Sequence, residues 1–285
     1  MDSDPAKFES KVKTEWIDDA TAAAWKKWHA KSLHFWRELN EGLFSVARLA
    51  PGQRVLDLAS GTGDPAIAIA KQVGPTGHVI ISDLAPQMLA ISREHAADAK
   101  ITNASFAIVD AHALPQEDAS LDRVTCRLGV MFFWDCQRAL REIRRVLKPG
   151  GVAAFVAWGP VEENEYMRAA LEPFKRRRPP PPAPPGAPTP YRFAAPGSLG
   201  AELRAAGFST VTEETRPIRQ AWPGPPAELW TRLYEVSAPM RPYFNSFDPA
   251  IRAEAAAEAV ANFSKYYDGR EVSTRATIVV AGAVK

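Results

Sequence analysis

This chain of 285 residues has few cysteines, a small net charge and few long apolar runs. Its two cysteines, Cys126 and Cys136, lack the spacing of a disulfide framework or a metal site, so we expect packing cysteines, a reducing compartment and no bound metal. The net charge is only +2 and the longest basic run is 175–178, which disfavours nucleic acid as the main partner. No signal peptide or membrane span is visible. These absences predict a soluble cytoplasmic protein.

The most informative stretch of the sequence is 54–66. A short apolar run that carries one acid, Asp57, predicts a buried strand. The run ends at a turn that contains Gly61 and Gly63, and Pro65 then suits the first turn of a helix. The two glycines allow a ligand to approach the backbone without meeting a Cβ atom. An acid in the strand and a bare loop after it predict a site for a nucleoside-type cofactor.

Strands that alternate with helices predict an α/β protein with a parallel sheet and right-handed crossovers. In such a sheet the ligand lies outside the carboxyl ends of the strands, where Asp57, Asp83, Asp110 and Arg127 are expected. We predict that Asp83 accepts both ribose hydroxyls, that Asp110 and the backbone of Ala111 bind the adenine edge, and that Asp57 orients the glycine turn. The predicted strands are 55–58, 78–83, 106–110, 121–127, 152–158, 210–219 and 272–284.

The N-terminal region is unusually rich in tryptophan, with four of the eight in the chain. Beyond a polar tail that ends near residue 14 and that we expect to be mobile, the spacing of apolar residues predicts two helices within 16–49, divided near 29–33 or 40–42. Two interpretations stay open. The rings pack on the core, or Trp25, Trp28 and Trp36 line a lid over an apolar substrate.

The chain is expected to divide into four parts. These are a helical arm or lid (1–50), a cofactor-binding core (51–160), a Pro-rich cap segment (161–197) and the rest of the sheet with a helical substrate cap (198–285). Eight prolines lie within 179–190, a composition typical of a polyproline spacer or a disordered linker. The α/β pattern continues after them, so we do not expect a boundary between independent domains there.

The glycine turn also fits the dinucleotide fingerprint, with Asp83 twenty residues past Gly63. A dinucleotide, however, rests its pyrophosphate on the helix N-terminus, close to the charge of Asp57. A cationic cofactor without phosphate tolerates that carboxylate, so the charge favours S-adenosylmethionine. A nicotinamide-dependent oxidoreductase and a non-catalytic protein that binds a nucleoside cofactor remain the alternatives.

Five segments together resemble the motifs of class I S-adenosylmethionine-dependent methyltransferases, in particular the ubiquinone/menaquinone C-methyltransferase-like (methyltransferase type 11) group. The segments are 55–64, 82–89, 110–115, 121–124 and 144–151. The resemblance implies a three-layer, doubly wound, seven-stranded sheet of order 3-2-1-4-5-7-6 with the last strand antiparallel, a helical N-terminal arm and a cap. It implies transfer of a methyl group by in-line displacement to a small-molecule acceptor, with S-adenosylhomocysteine as the product.

The resemblance also implies roles for particular residues. The implied cofactor-binding residues are Asp57, Ala59, Gly61, Gly63, Asp83, Leu84, Met88, Asp110, Ala111 and Arg127. Ala59 replaces the first glycine of the family's usual loop, where we expect tighter packing and retained binding. The residues expected to line an apolar, aromatic acceptor site are Trp28, Trp36, Phe132, Phe133 and Trp158. His34, His112 and Tyr191 are weak candidates for a base, so no catalytic residue is assigned, and a monomer or homodimer is expected.

Overall fold

The computed structural model describes residues 5–285. Within them, seven strands form one sheet of order β3-β2-β1-β4-β5-β7-β6, in which β7 is antiparallel to its neighbours and the other pairs are parallel. The expected fold class is therefore confirmed. The strands are β1 (Arg54–Leu58), β2 (His78–Asp83), β3 (Ala104–Ile108), β4 (Leu121–Arg127), β5 (Leu147–Trp158), β6 (Val211–Trp222) and β7 (Val272–Val284).

Helices cover both faces of this sheet and the end at which the parallel strands finish. No helix of the described residues is long and apolar enough to cross a membrane. The helices are α1 (Pro5–Trp16), α2 (Asp19–Phe35), α3 (Arg37–Ala47), α4 (Ala66–Val73), α5 (Pro86–Asp98), α6 (Cys136–Val146), α7 (Glu165–Arg177), α8 (Ser198–Ala205), α9 (Pro226–Val236), α10 (Arg241–Asn245) and α11 (Pro249–Ser264).

The alternation of side chains along β1 produces the layers. Val55 points to one face, where it belongs to a buried cluster with Ile69 of α4. Leu56 points to the other face, where it packs in the main core with Leu140 of α6. Because successive side chains of a strand point to opposite faces, the short apolar run of β1 is buried on both sides. The carboxyl ends of β1–β4 are left to face the N-terminal helices.

Several helices begin at the polar residue that the sequence places there. Asp18, Asp135 and Asn164 each accept a hydrogen bond from the backbone N–H of the third residue after them, and Asp248 accepts one from the second. Such caps satisfy amide groups that have no partner inside the helix. Asp135 therefore has a structural role as the cap of α6.

The N-terminal region differs from its prediction. Residues 5–16 form α1 and not a mobile tail, because Val12 is buried and Trp16 packs edge-on against Phe132 at 5.2 Å between ring centroids. The helix break that follows α2 lies at Trp36, outside both of the predicted places. Residues 1–4 of the predicted tail lie outside the described residues.

Two further differences affect the functional site. Strand β3 ends at Ile108, so Asp110 lies in the loop after the strand and not at its end. Residues 178–197 contain turns but no helix or strand. Their C-terminal part is anchored nevertheless, because Phe193 is buried and Arg192 Nη1 donates to the carbonyl of Phe133 at 2.7 Å. Helix α9, which was not predicted from the sequence, also contributes to the site through Arg232 and Val236.

Candidate active site

A cavity of about 270 Å³ lies between the carboxyl ends of β1–β4 and the helices of the arm and cap. The predicted residues that line it come from both the cofactor and the acceptor sets: Ala59, Gly61, Asp83, Leu84, Met88, Asp110, Ala111, Arg127, Trp36, Phe132, Phe133 and Trp158, together with His112 and Tyr191. Four predicted residues, Asp57, Gly63, Trp28 and His34, are not part of this wall.

Asp83 connects β2 to the glycine turn. Its Oδ2 accepts from the N–H of Gly61 at 2.8 Å, and its Oδ1 accepts from the N–H of Ala85 at 2.9 Å. Burial raises the pKa of this carboxyl, although the two amide donors oppose the effect. Each oxygen of a carboxylate can accept a second hydrogen bond. Asp83 therefore holds the turn and can still accept two hydroxyl groups from a ligand.

The two glycines of the turn have different functions. A Cβ on Gly61, at φ +54°, would meet nothing within 4 Å, so the turn leaves open space that suits a ligand. A Cβ on Gly63, at φ +101°, would lie 2.7 Å from Ser92 Oγ, so this glycine is needed for packing against α5. Ala59 also has positive φ, at +54°, and its methyl group occupies space that only a glycine at position 129 leaves free.

Asp57 lies beneath the cavity and supports the turn from inside the protein. It is fully buried, and it accepts hydrogen bonds from Ser60 Oγ at 2.6 Å and from Thr125 Oγ1 at 2.5 Å. Burial raises the pKa of this carboxyl to about 6, against the lowering effect of the two hydroxyl donors. Its contacts with Ser60 and Thr125 connect the turn to β4.

Asp110 and His112 form a closed unit in the loop after β3. Asp110 Oδ1 accepts from the backbone N–H of His112 at 2.9 Å and pairs with its Nδ1 at 2.6 Å. His112 Nε2 in turn accepts from the N–H of Asp135 at 3.2 Å, and the ring stacks on Trp134. Burial opposes ionisation of Asp110, but these hydrogen bonds lower its pKa. Both ring nitrogens of His112 are engaged, so this histidine is not free to act as a base.

Arg127 is tied to the glycine turn by a paired acid. Its Nη1 donates to Asp64 Oδ2 and to Asn40 Oδ1, and its Nη2 donates to the Asp64 carbonyl at 2.8 Å. The side chains of the ion pair are only 11% and 13% exposed. Arg127, which the resemblance assigned to the cofactor-binding set, therefore pairs with a carboxylate of the protein itself and joins β4, α3 and the turn.

Aromatic residues of the arm, of β5 and of the segment between β4 and α6 form much of the rest of the wall. The ring of Trp36 stacks with Trp25 at 6.4 Å and lies 6.0 Å from Trp158, and the arm also contributes Trp16. This set forms an apolar chamber opposite the acid-bearing strand ends. Several residues of the wall were not predicted from the sequence, namely Val12, Trp16, Met131, Tyr166, Arg232 and Met240.

Two of the predicted residues lie in other parts of the fold. Trp28 packs edge-on against Trp222 and donates from Nε1 to Glu235 at 2.6 Å, so it joins the arm to the cap and does not line the cavity. His34 lies at the surface, 3.6 Å from Glu271, and is not a candidate base. Burial raises the pKa of Tyr191, so its phenol stays protonated at neutral pH.

Metal and thiol chemistry find no support in the described part of the chain. No group of three or more His, Cys, Asp or Glu side chains there could hold a metal ion. Cys126 and Cys136 are both buried free thiols. Burial raises the pKa of both, that of Cys136 to about 12, so neither is a ready nucleophile.

The strand order and the glycine turn beside the acid-bearing strand ends define a class I, Rossmann-like methyltransferase fold, the class that uses S-adenosylmethionine as its cofactor. The profile of the ubiE/COQ5 methyltransferase family matches residues 29–177, which is more than half of the sequence. The chain belongs to this family.

Individual relatives agree with this assignment. The chain is 40% identical over 127 residues to the ubiquinone/menaquinone biosynthesis C-methyltransferase UbiE of Ralstonia pickettii, an alignment that covers 42% of this chain and 52% of that protein. It is 37% identical over 170 residues to the demethylmenaquinone methyltransferase of Thermus thermophilus, with 56% and 76% covered. The chain thus spans about half the length of the UbiE relatives that it matches.

A solved structure shows the same fold. The YcgJ protein of Bacillus subtilis superposes with a TM-score of 0.55 at 18% identity, over 86% of this chain and 98% of that one. At this level of identity the similarity concerns the fold alone.

Proposed function

We propose that this chain transfers a methyl group from S-adenosylmethionine to a small, hydrophobic, ring-bearing acceptor. The observation that carries the proposal is a single cavity that joins two different surfaces. One surface is the acid-bearing edge of the sheet with Asp83 and Asp110, and the other is the aromatic chamber around Trp36 and Trp158. Methyl transfer needs both surfaces in one cavity, because cofactor and acceptor must meet in line.

The residues at the sheet edge fit the cofactor. Asp83 can accept the two ribose hydroxyls on oxygens already oriented by backbone amides. Among residues 5–285 no hydrogen bond engages Oδ2 of Asp110, and this oxygen can accept from the adenine amino group. Met88 and Leu84 line the same part of the cavity and offer apolar surface to the base. The open space at Gly61 leaves room for the methionine end.

The residues of the chamber orient the acceptor and exclude water. When bound, the cofactor supplies an electrophilic methyl group, whose bond to sulfur breaks as the bond to the acceptor forms, with S-adenosylhomocysteine as the leaving group. The engaged nitrogens of His112 and the protonated phenol of Tyr191 do not remove a proton from the acceptor. We therefore propose an acceptor that is itself ionised or rich in electrons, such as a phenol or quinol ring. The names of the UbiE relatives, which refer to ubiquinone and menaquinone biosynthesis, support a ring of this kind.

Calorimetric titration followed by transfer of a labelled methyl group tests the proposal. We expect S-adenosylmethionine and S-adenosylhomocysteine to bind with micromolar affinity, NAD to bind at least 100-fold more weakly, and label to reach a compound in a panel of phenols, quinols and ring carboxylic acids. The variant Asp83→Ala serves as the matched control for the cofactor site. Binding of NAD in place of S-adenosylmethionine, or no labelled product from any ring compound, would overturn the proposal.

A further inference from the structure

Arg232 is a buried cation in the wall of the cavity. It is 1% exposed and lies on α9 in line with Leu229, Leu233 and Val236, so it occupies a position on the apolar face of that helix. Burial lowers the pKa of its guanidinium, but an arginine side chain stays protonated inside proteins. A full positive charge therefore lies among apolar groups, an arrangement that is costly unless an anion is bound nearby.

The guanidinium lacks such an anion within residues 5–285. Its Nη1 donates to the hydroxyl of Tyr166 at 3.1 Å, whereas Nε and Nη2 are buried and have no hydrogen-bond partner. The rings of Trp36 and Phe35 lie 4.8 Å and 4.9 Å from its Cζ atom. The faces of these rings stabilise the charge, but they leave the two N–H groups unbonded.

The other unsatisfied groups of the cavity are of the same kind. The indole nitrogens of Trp16, Trp25 and Trp36 are buried without an acceptor in the described part of the protein. Among the described residues that line the cavity, every buried side-chain atom without a partner is therefore a donor. Buried polar groups are normally satisfied, so a set that consists of donors alone points to a bound group that only accepts.

Most groups around Arg232 belong to the arm and the cap, and Trp36, whose ring lies 4.8 Å from Arg232 Cζ and 5.8 Å from Arg127 Cζ, connects them to the predicted cofactor site. The guanidinium contacts of Arg232 come from the arm, from Tyr166 of α7 and from Trp222 of β6. The carboxylate of Asp83, at the end of β2, and that of Asp110, in the loop after β3, lie where a sulfonium cofactor is expected. Asp64, the remaining acid among the residues that line the cavity, is already paired with Arg127. The cavity thus has an acidic half and a donor half.

We propose, on the basis of the methyl transfer inferred above, that Arg232 and the indole N–H groups of Trp25 and Trp36 form a carboxylate subsite, so that the acceptor is an aromatic carboxylic acid. The N–H of Nε and one N–H of Nη2 point the same way, and this edge of a guanidinium matches the two oxygens of a carboxylate. The aromatic rings around it accept the flat body of the same molecule. The methionine end of the cofactor also carries a carboxylate, and the test must distinguish these two sources.

Competition between matched ligands provides the test. Wild-type protein is titrated with a panel of one-ring to three-ring aromatic carboxylates and with the primary amide of each, in the presence and absence of saturating S-adenosylhomocysteine. We expect at least one carboxylate to bind about 10- to 100-fold more tightly than its amide, the range that charge-assisted hydrogen bonds produce. The variant Arg232→Gln should remove that preference and keep the affinity for S-adenosylhomocysteine within about twofold. The variant Arg141→Gln, which removes the same charge from an exposed position on α6, should change neither quantity.

The other possible results would overturn either the carboxylate subsite or the proposed methyl transfer. Equal affinities of acids and amides, or no binding of any acid, would overturn the carboxylate subsite, and the wild-type titration decides this even if Arg232→Gln does not fold. Loss of affinity for S-adenosylhomocysteine in Arg232→Gln, with the preference for acids unchanged, would assign the charge to the cofactor and also overturn the proposal. Failure of wild-type protein to bind S-adenosylhomocysteine would instead refute the proposed methyl transfer.

Discussion

The buried carboxylate beneath the glycine turn makes the free protein less stable at neutral pH than it would be without that charge. The pKa of Asp57 is about 6 in the folded chain, against an ordinary value of 3.8. At 1.36 kcal/mol per pKa unit, this difference corresponds to about 3 kcal/mol of unfolding free energy. Because the folded-state pKa lies above the unfolded-state value, this contribution to stability is fully present below about pH 3.8 and is lost as the pH rises through about 6.

The substitution Asp57→Asn removes the charge and keeps the shape. One amide oxygen can still accept a hydroxyl from Ser60 or Thr125, and the rearrangement of the second hydrogen bond costs about 1 kcal/mol. We therefore expect the variant to be about 2 kcal/mol more stable than the wild type at pH 8, and to have nearly equal stability at about pH 4.5. We also expect weaker cofactor binding, because the turn loses an anion close to the cationic ligand.

Urea denaturation of both proteins without ligand, at several pH values between about 4.5 and 8, measures this difference directly. The slope of free energy against urea concentration should be the same for the two proteins, so that the midpoints report stability. A variant that is less stable than the wild type at pH 8, or a difference that does not change with pH, would refute the reasoning.

Four further predictions concern Asp83, the two glycines of the turn and the buried thiol at the start of α6. Asp83→Ala should weaken the binding of S-adenosylhomocysteine by about 1.5–3 kcal/mol, and unchanged affinity in calorimetry would remove Asp83 from the site. Gly63→Ala should lower the unfolding free energy by about 1–3 kcal/mol, since its Cβ would lie 2.7 Å from Ser92 Oγ. Gly61→Ala should be the milder change for stability and the more harmful one for cofactor affinity, and the reverse order in both assays would contradict these roles. Cys136 should resist a disulfide exchange reagent at pH 8 until urea unfolds the chain, and rapid reaction in the native protein would show that the thiol is accessible.

The sequence predicted correctly those elements of the fold that a short local pattern of residues determines. The apolar run with Asp57, followed by the glycine turn, predicted β1, the turn and the start of α4, and the structure has all three. Asp83 ends β2 as predicted, because its strand is a plain run of branched residues that ends in an acid. Short-range patterns of this kind are decided locally, so they can be deduced before any tertiary contact is known.

The residues that the sequence analysis missed depend on contacts between distant segments. Similar helical spacing relates Trp25, Trp28 and Trp36. Only the packing of the arm on the cap places Trp28 against Trp222, whereas Trp36 faces the cavity. The burial of Arg232 also depends on contact between distant segments, because rings of the arm cover its guanidinium group. Its place on the apolar face of α9 was the available signal, since an arginine in such a stripe needs a partner.

A crystal structure of the protein with S-adenosylhomocysteine bound is the decisive measurement. We expect the ribose hydroxyls to lie on Asp83, the adenine amino group to lie at Asp110, and the sulfur atom to face the chamber formed by Trp36 and Trp158. A cofactor product bound elsewhere, or a nucleotide with its pyrophosphate on the N-terminus of α4, would contradict this expectation.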